Sequence, residues 1–205
     1  MGWFSWWYVN AAICINVGVI LYLYNKKKLP IESARVVGKL SFWPTVPFTM
    51  ARLLIGLRRN WWDQVDQGVY LGGVPVVYFD HVGQLHSLGV RAVVNLCDEY
   101  EGPVEEYKKR DMQQLHVPTV DHFEPSVDTL KKTVEFINEH RNKGESVYIH
   151  CKAGHGRSAA VAFAWLLFKH RLSLGDAQEL ILSKRTVRKA LYKQPNINQF
   201  YQSLQ

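Results

Sequence analysis

The sequence predicts an α/β domain, a mainly parallel sheet flanked by helices, carried behind an N-terminal transmembrane helix. Three observations support this. Strand-like segments near 69–72, 91–96, 114–119 and 146–150 alternate with helical ones near 80–88, 103–112, 127–142, 157–170, 174–185 and 195–204. Such alternation buries a parallel sheet between helices. A glycine-punctuated loop, His150-Cys151-Lys152-Ala153-Gly154-His155-Gly156-Arg157-Ser158, joins the last strand to the apolar run Ala159–Leu167. Finally, residues 3–24 carry no charge, and as a helix they reach about 33 Å at ~1.5 Å per residue, enough to cross a bilayer core.

At the N-terminus, aromatic residues cluster at both ends of the uncharged run, as in an interfacial belt, and Lys26, Lys27 and Lys28 follow at once. Asn10 and Asn16 weaken the apolar character without forbidding insertion. No basic residue precedes the run, no small-residue cleavage site follows it, and no Arg-rich presequence is present. An uncleaved anchor over residues 1–25 is expected rather than a signal peptide. Residues 26–59 form the next segment, with eight Lys or Arg against Glu32 alone. That excess of seven equals the formal charge of the whole chain, so the rest balances at 17 against 17. A basic stretch after an anchor suits anionic headgroups, whereas a neutral domain argues against a nucleic-acid binder. Within it, Phe42–Phe48 and Leu53–Leu57 either dock at the membrane interface or cap the domain.

The remaining residues, 60–205, suit one domain with a sizeable core. Ser126 caps a helix whose Leu130, Val134 and Ile137 share one face and which Gly144 ends. Ser173 before Gly175-Asp176-Ala177 reads as another helix start. Cys14, Cys97 and Cys151 make no disulfide framework, which points to a reducing compartment. There is no repeat and no metal-ligand spacing, so neither a cofactor nor a metal is expected. His81, His86, His116, His140 and His170 are scattered and read as structural or exposed.

The loop after residue 150 carries the chemistry. A helix N-terminus presents unpaired N–H groups and the positive end of its dipole, a ready site for a phosphate dianion. Amides from Lys152 to Gly156 would point at three phosphate oxygens with the Cys151 sulfur below. Gly154 and Gly156 permit backbone conformations that a side chain opposes. Arg157 offers a planar fork of donors, and Ser158 a hydrogen bond to the sulfur as it leaves. The helix field, with Arg157 and His150, is expected to make Cys151 a thiolate nucleophile.

This loop resembles the signature of cysteine-dependent phosphatases of the dual-specificity branch. Phe42-Trp43-Pro44-Thr45, Asn60–Asp66, Val69-Tyr70-Leu71-Gly72-Gly73-Val74-Pro75 and Asp98-Glu99-Tyr100-Glu101 resemble motifs of the mitochondrial tyrosine-phosphatase-like phosphatidylglycerophosphate phosphatases. The resemblance covers roughly residues 35–205 and leaves out 1–34. It implies the dual-specificity phosphatase fold and an anionic phospholipid substrate, phosphatidylglycerophosphate, converted to phosphatidylglycerol on the route to cardiolipin. It also implies a mitochondrial membrane, although the anchor would suit the endoplasmic reticulum nearly as well. The alternatives are a protein or phosphoinositide phosphatase of the same fold, or a silent phosphate-binding adaptor, which the presence of Cys151, Arg157 and Asp121 disfavours.

The resemblance assigns the general acid to the loop Thr119-Val120-Asp121-His122, where Asp121 matches. Glu124 and Asp128 compete by composition, but Asp128 sits where a helix's first turn ordinarily carries an acid. Lys152 and His155 are placed around the reacting phosphate, where Lys152 suits a substrate with more than one anionic group. His155 departs from the family pattern and would add a pH-dependent cation; both residues facing solvent is the plainer reading. Glu99 and Glu101 enter the substrate site through the resemblance alone. Cys97 matches a second Cys that protects the nucleophile as a disulfide in some lipid phosphatases.

Overall fold

The computed structural model describes residues 2–54 and 60–205. Two long helices, α1 (Gly2–Asn25) and α2 (Ile31–Leu54), precede the sheet-bearing part. There follow β1 (Trp62–Asp66), β2 (Val69–Gly72), α3 (His81–Ser87), β3 (Val90–Cys97), α4 (Val104–Lys108) and β4 (Gln113–Thr119). The chain ends with α5 (Val127–Asn142), β5 (Ser146–His150), α6 (Arg157–His170), α7 (Leu174–Lys184) and α8 (Pro195–Gln202). The sheet runs β1-β2-β5-β3-β4. It is parallel except where β1 pairs antiparallel with β2.

The central strands are apolar on both faces because helices cover both. On one side Val147 and Ile149 of β5 meet Ala92, Val94 and Leu96 of β3 beneath α5 and α6. On the other, Tyr148 joins Val90 and Val93 under Val82 and Leu85 of α3 and Tyr107 of α4. Small residues let α6 lie close on the sheet, and every residue from Arg157 to Leu167 is buried. Ser126 and Ser173 cap α5 and α7 as expected, each hydroxyl accepting from a backbone N–H three residues on. Gly144 takes a φ of 79° after α5.

Two elements differ from the sequence expectation. β1 was not anticipated, since Trp-Asp-Gln-Val-Asp shows too little apolar alternation. Its signal is the two-residue turn Gln67-Gly68, in which Gly68 has a φ of 65° and Asp66 pairs with Val69. The helix expected over 103–112 stops at Lys108, because Asp111 turns left-handed (φ 50°) and the Met112 N–H bonds back to the Tyr107 carbonyl.

The basic segment is mostly helix. α2 contains Pro44 and Pro47, whose missing N–H groups would ordinarily weaken it. The hydroxyls of Thr45 and Thr49 bond carbonyls one turn back, at Ser41 (2.6 Å) and Thr45 (3.1 Å). One face buries Ala34, Phe42 and Val46, while Val36, Leu40, Trp43 and Phe48 stay exposed on another. Phe42 stacks on Tyr100 at 5.3 Å, so this part of the segment caps the domain. Arg35 is paired with Glu32 and Asp98 (both 3.1 Å). The side chains of residues 52–54 and all of Ile55–Arg59, including the expected Leu53–Leu57 contact, lie outside the described residues.

In α1 the stretch Trp6–Asn25 is long and apolar enough to cross a membrane. Its large side chains are exposed, from Trp6 and Trp7 to Tyr22. Asn10 and Asn16 turn their amides onto carbonyls one turn back, at Trp6 (2.7 Å) and Ala12 (2.8 Å), so neither needs water. Of this stretch only Tyr24 is buried.

Candidate active site

The site lies beyond the carboxyl ends of the parallel strands, where open α/β sheets place their ligands. β5 delivers Cys151, β3 leads into Glu99 and β4 into Asp121. The loop from Cys151 to Gly156 crosses the end of β2 so closely that a Cβ on Gly154 would fall 2.4 Å from the Gly72 carbonyl oxygen. Gly154 also has a φ of 65°, so two constraints require glycine there. Arg185, 5% exposed, clamps the loop from outside: its Nε donates to the Gly154 carbonyl (3.1 Å) while Nη1 pairs with Asp63.

The Cys151 sulfur is buried at the foot of this loop. The Ser158 hydroxyl donates to it at 3.2 Å, and the N–H groups of Ala153 and Ser158 point at it. Burial pushes the thiol up. The Arg157 charge and these hydrogen bonds outweigh burial, so the net shift is downward, toward thiolate. His150 does not contribute as expected. It is fully buried beneath the loop, and burial lowers it to about 3, so the ring is neutral and supplies no cation.

Arg157 is held from several directions. Its Nη1 and Nη2 donate to the two carboxylate oxygens of Glu99, each at 2.7 Å, with both side chains 2% exposed. Nη1 also donates to the Thr119 carbonyl (2.8 Å), and Nη2 pairs with Asp121 Oδ1 (3.0 Å). Among the described residues Nε is buried without a partner. Glu99 is in place because buried Asn95 ties down its loop, donating to the Tyr100 carbonyl and accepting from the Cys97 N–H (both 2.9 Å). The geometry therefore makes Glu99 a support for Arg157 rather than a substrate contact. Glu101 is exposed and does not line the cavity over Cys151, and its carbonyl accepts from Gln114.

Asp121 sits across the cavity from the loop. Its Oδ2 accepts from Lys152 (3.0 Å) and from the Tyr24 hydroxyl (3.2 Å), and its Oδ1 accepts from the His122 N–H (3.0 Å). Burial alone would raise its pKa, but Arg157 and then Lys152 hold the carboxyl well below the usual range. It is thus a carboxylate while both cations face it. Burial lowers His122, and the charge of Asp121 opposes this only in part. Glu124 opens onto a neighbouring hollow, and Asp128 lies in the first turn of α5.

A cavity of about 370 Å³ opens over Cys151. The phosphate loop with Lys152 and His155 forms one wall; Leu21, Tyr24 and Phe48 from α1 and α2 form another. Lys152 and His155, expected around the site, line the cavity, and so does Arg188, which does not stand out in the sequence and comes near Gly156. Arg185 and Tyr24 are also functional neighbours that sequence alone does not single out. Arg185 follows a helix among other basic residues and Tyr24 ends an apolar run, so neither stands out. Cys97 is a free, buried thiol at the end of β3, pushed well up by burial. Among the described residues no three His, Cys, Asp or Glu side chains gather as a metal site would need.

Residues 69–203 match the family model for the dual specificity phosphatase catalytic domain. The chain is 34% identical over 151 residues to the phosphatidylglycerophosphate phosphatase PTPMT2 of Arabidopsis thaliana, which covers 72% of this chain and 65% of that one. It is 32% identical over 158 residues to the human phosphatidylglycerophosphatase and protein-tyrosine phosphatase 1, covering 73% and 78%. The crystal structure of PTPMT1 in complex with PI(5)P superposes with a TM-score of 0.62 at 27% identity, covering 71% and 97%. The chain belongs to the dual specificity phosphatase family, in the branch of the phosphatidylglycerophosphate phosphatases PTPMT1 and PTPMT2.

Proposed function

We propose that this protein is a membrane-anchored phosphomonoesterase acting on a lipid phosphate, with phosphatidylglycerophosphate as substrate and phosphatidylglycerol and phosphate as products. The observation that carries the reading is the cavity itself. A cationic phosphate loop faces apolar side chains of an N-terminal helix that suits a bilayer. Trp43, Leu40 and Phe48 on the exposed face of α2 would lie in the interface beside the anchor. A lipid could then present its headgroup to Cys151 without leaving the membrane. Lys152 and Arg188 supply charge for the phosphodiester next to the scissile phosphomonoester.

The chemistry proceeds in two displacements. The Cys151 thiolate attacks phosphorus while the bond to the glycerol oxygen breaks. The loop amides from Lys152 to Gly156 and Arg157, through Nε and Nη2, carry the charge on the three phosphoryl oxygens. As the dianion binds, Arg157 and Lys152 turn toward it and their hold on Asp121 weakens. Asp121 then takes up a proton and gives it to the leaving oxygen. In the second step water attacks the cysteinyl phosphate, Asp121 removes its proton, and the P–S bond breaks with the Ser158 hydroxyl donating to the departing thiolate. Phosphate leaves and the starting thiolate is restored.

A phosphoinositide is the second reading, favoured by the inositol lipid named in the PTPMT1 complex, and the human relative's name adds phosphotyrosine. The test compares kcat/KM of the full chain on phosphatidylglycerophosphate, a phosphatidylinositol monophosphate and a phosphotyrosine peptide. A preference of tenfold or more, about 1.4 kcal/mol, for the first supports the proposal. Equal or better turnover of the inositol lipid or the peptide moves the substrate assignment to that class. A mitochondrial membrane is the proposed location, with the endoplasmic reticulum as alternative; cell fractionation decides between them.

A further inference from the structure

The end of the membrane helix reaches the acid. Tyr24, the one buried residue between Trp6 and Asn25, donates its hydroxyl to Asp121 Oδ2 at 3.2 Å. Its ring stands edge-on to His122 with centroids 4.7 Å apart. Gly38 of α2 makes room, since a Cβ there would sit 3.3 Å from the Tyr24 hydroxyl and 3.9 Å from the Asp121 Cβ. The acid loop is thereby fastened at two successive residues to a helix remote in sequence. Tyr24 differs in kind from the two cations on the carboxylate. Lys152 and Arg157 are charged and turn toward a bound phosphate, whereas the Tyr24 hydroxyl is neutral and has no such pull.

We infer that Tyr24, at the end of the anchor helix, is a positioning residue for proton transfer by Asp121. It holds Oδ2 throughout the cycle, as the His122 N–H holds Oδ1, so that the carboxyl keeps its orientation toward the leaving oxygen when the cations turn away. The anchor thus completes the catalytic site as well as holding the enzyme at its substrate. This rests on the proposal that Asp121 is the general acid.

The test uses the full chain in detergent micelles with Tyr24→Phe, Asp121→Asn and the double variant. Two substrates differ in leaving group: short-chain phosphatidylglycerophosphate, an alkyl phosphate that needs its oxygen protonated, and p-nitrophenyl phosphate, which needs this far less. Tyr24→Phe, which keeps the ring, is expected to lower kcat on the lipid about tenfold, the scale of one hydrogen bond to a charged group. On the aryl phosphate the loss should be about twofold or less. In the Asp121→Asn background Tyr24→Phe should cost nothing further, because the two act as one unit. Equal losses on both substrates, additive losses in the double variant, or no loss on the lipid while Asp121→Asn is impaired would each overturn the inference and leave the acid assignment standing. If Asp121→Asn hydrolyses the lipid at the full rate, the acid assignment falls and the inference with it.

Discussion

The two walls of the active site are built in opposite ways. The nucleophile wall is local: nine consecutive residues supply the thiol, the amides, the arginine and the hydroxyl. Burial, the Gly154 turn and the Arg185 clamp hold it in place. The leaving-group wall is assembled from afar, since Asp121 meets Lys152 from the loop, Arg157 from α6 and Tyr24 from α1. The first wall is made to bind phosphate, and its backbone is held in place by the Gly154 turn and the Arg185 clamp. In the proposed mechanism the second is made to change, because Asp121 stays a carboxylate until its cations are drawn away. A binding surface can be written in one stretch of chain, whereas a proton switch needs partners with other commitments.

The largest expected effect breaks the nucleophile wall. Cys151→Ser should lower kcat by at least about 10⁴-fold, because the proposed intermediate forms on the Cys151 sulfur. Next is the support beneath it. Glu99→Ala removes the bidentate partner of buried Arg157 and leaves its charge to Asp121 alone, at a cost of up to roughly 3–5 kcal/mol of stability. Thermal melting should show the loss together with a fall in kcat.

The leaving-group wall should respond differently. Asp121→Asn is expected to lower kcat on the lipid about 10²-fold. The sign of the pH effect follows from the carboxyl's role as proton donor. In the wild type the rate on an alkyl phosphate falls as pH rises through the pKa of Asp121 in the complex, and the Asn variant should lose that fall.

Between these in character is His150, which belongs to the nucleophile wall and acts on stability. Its folded pKa of about 3 lies below the ordinary histidine value. Below about pH 6.5 the unfolded chain therefore binds a proton that the folded one refuses. Stability present above that pH is lost on acidification, by about 2 kcal/mol between pH 7 and pH 5. Denaturant titrations of His150→Asn should lack this contribution. The smallest effect is expected at Arg188, half-buried at the cavity rim. Arg188→Ala should raise KM for phosphatidylglycerophosphate about fivefold, near 1 kcal/mol, and leave p-nitrophenyl phosphate almost untouched.

The same contrast explains what the sequence made legible. The nucleophile loop could be read residue by residue, because strand, glycines and helix are contiguous and each has its own physical reason. The helices of the domain were equally plain wherever Ser126 and Ser173 announced them. β1 was hidden because polar Asp63 and Gln64 break its alternation, and its pairing with β2 shows only in a Gly68 turn. Glu99 was placed near the site but given the wrong neighbour, since nothing in Asp-Glu-Tyr-Glu says that one carboxylate will meet an arginine 58 positions on. His150 was read as a cation because its place beside Cys151 is visible in sequence, while its complete burial is not. Tyr24 was unreadable for a similar reason. It ends an apolar run as any interfacial aromatic would, and only the fold brings it within 3.2 Å of Asp121.

The most direct test of the two-wall account is a rapid acid quench of the full chain turning over phosphatidylglycerophosphate labelled in its terminal phosphate. The account predicts label bound covalently to the peptide containing Cys151, decaying at the rate of phosphate release and missing from Cys151→Ser. Phosphate release at full rate with no labelled protein, or with label on a different residue, would contradict it.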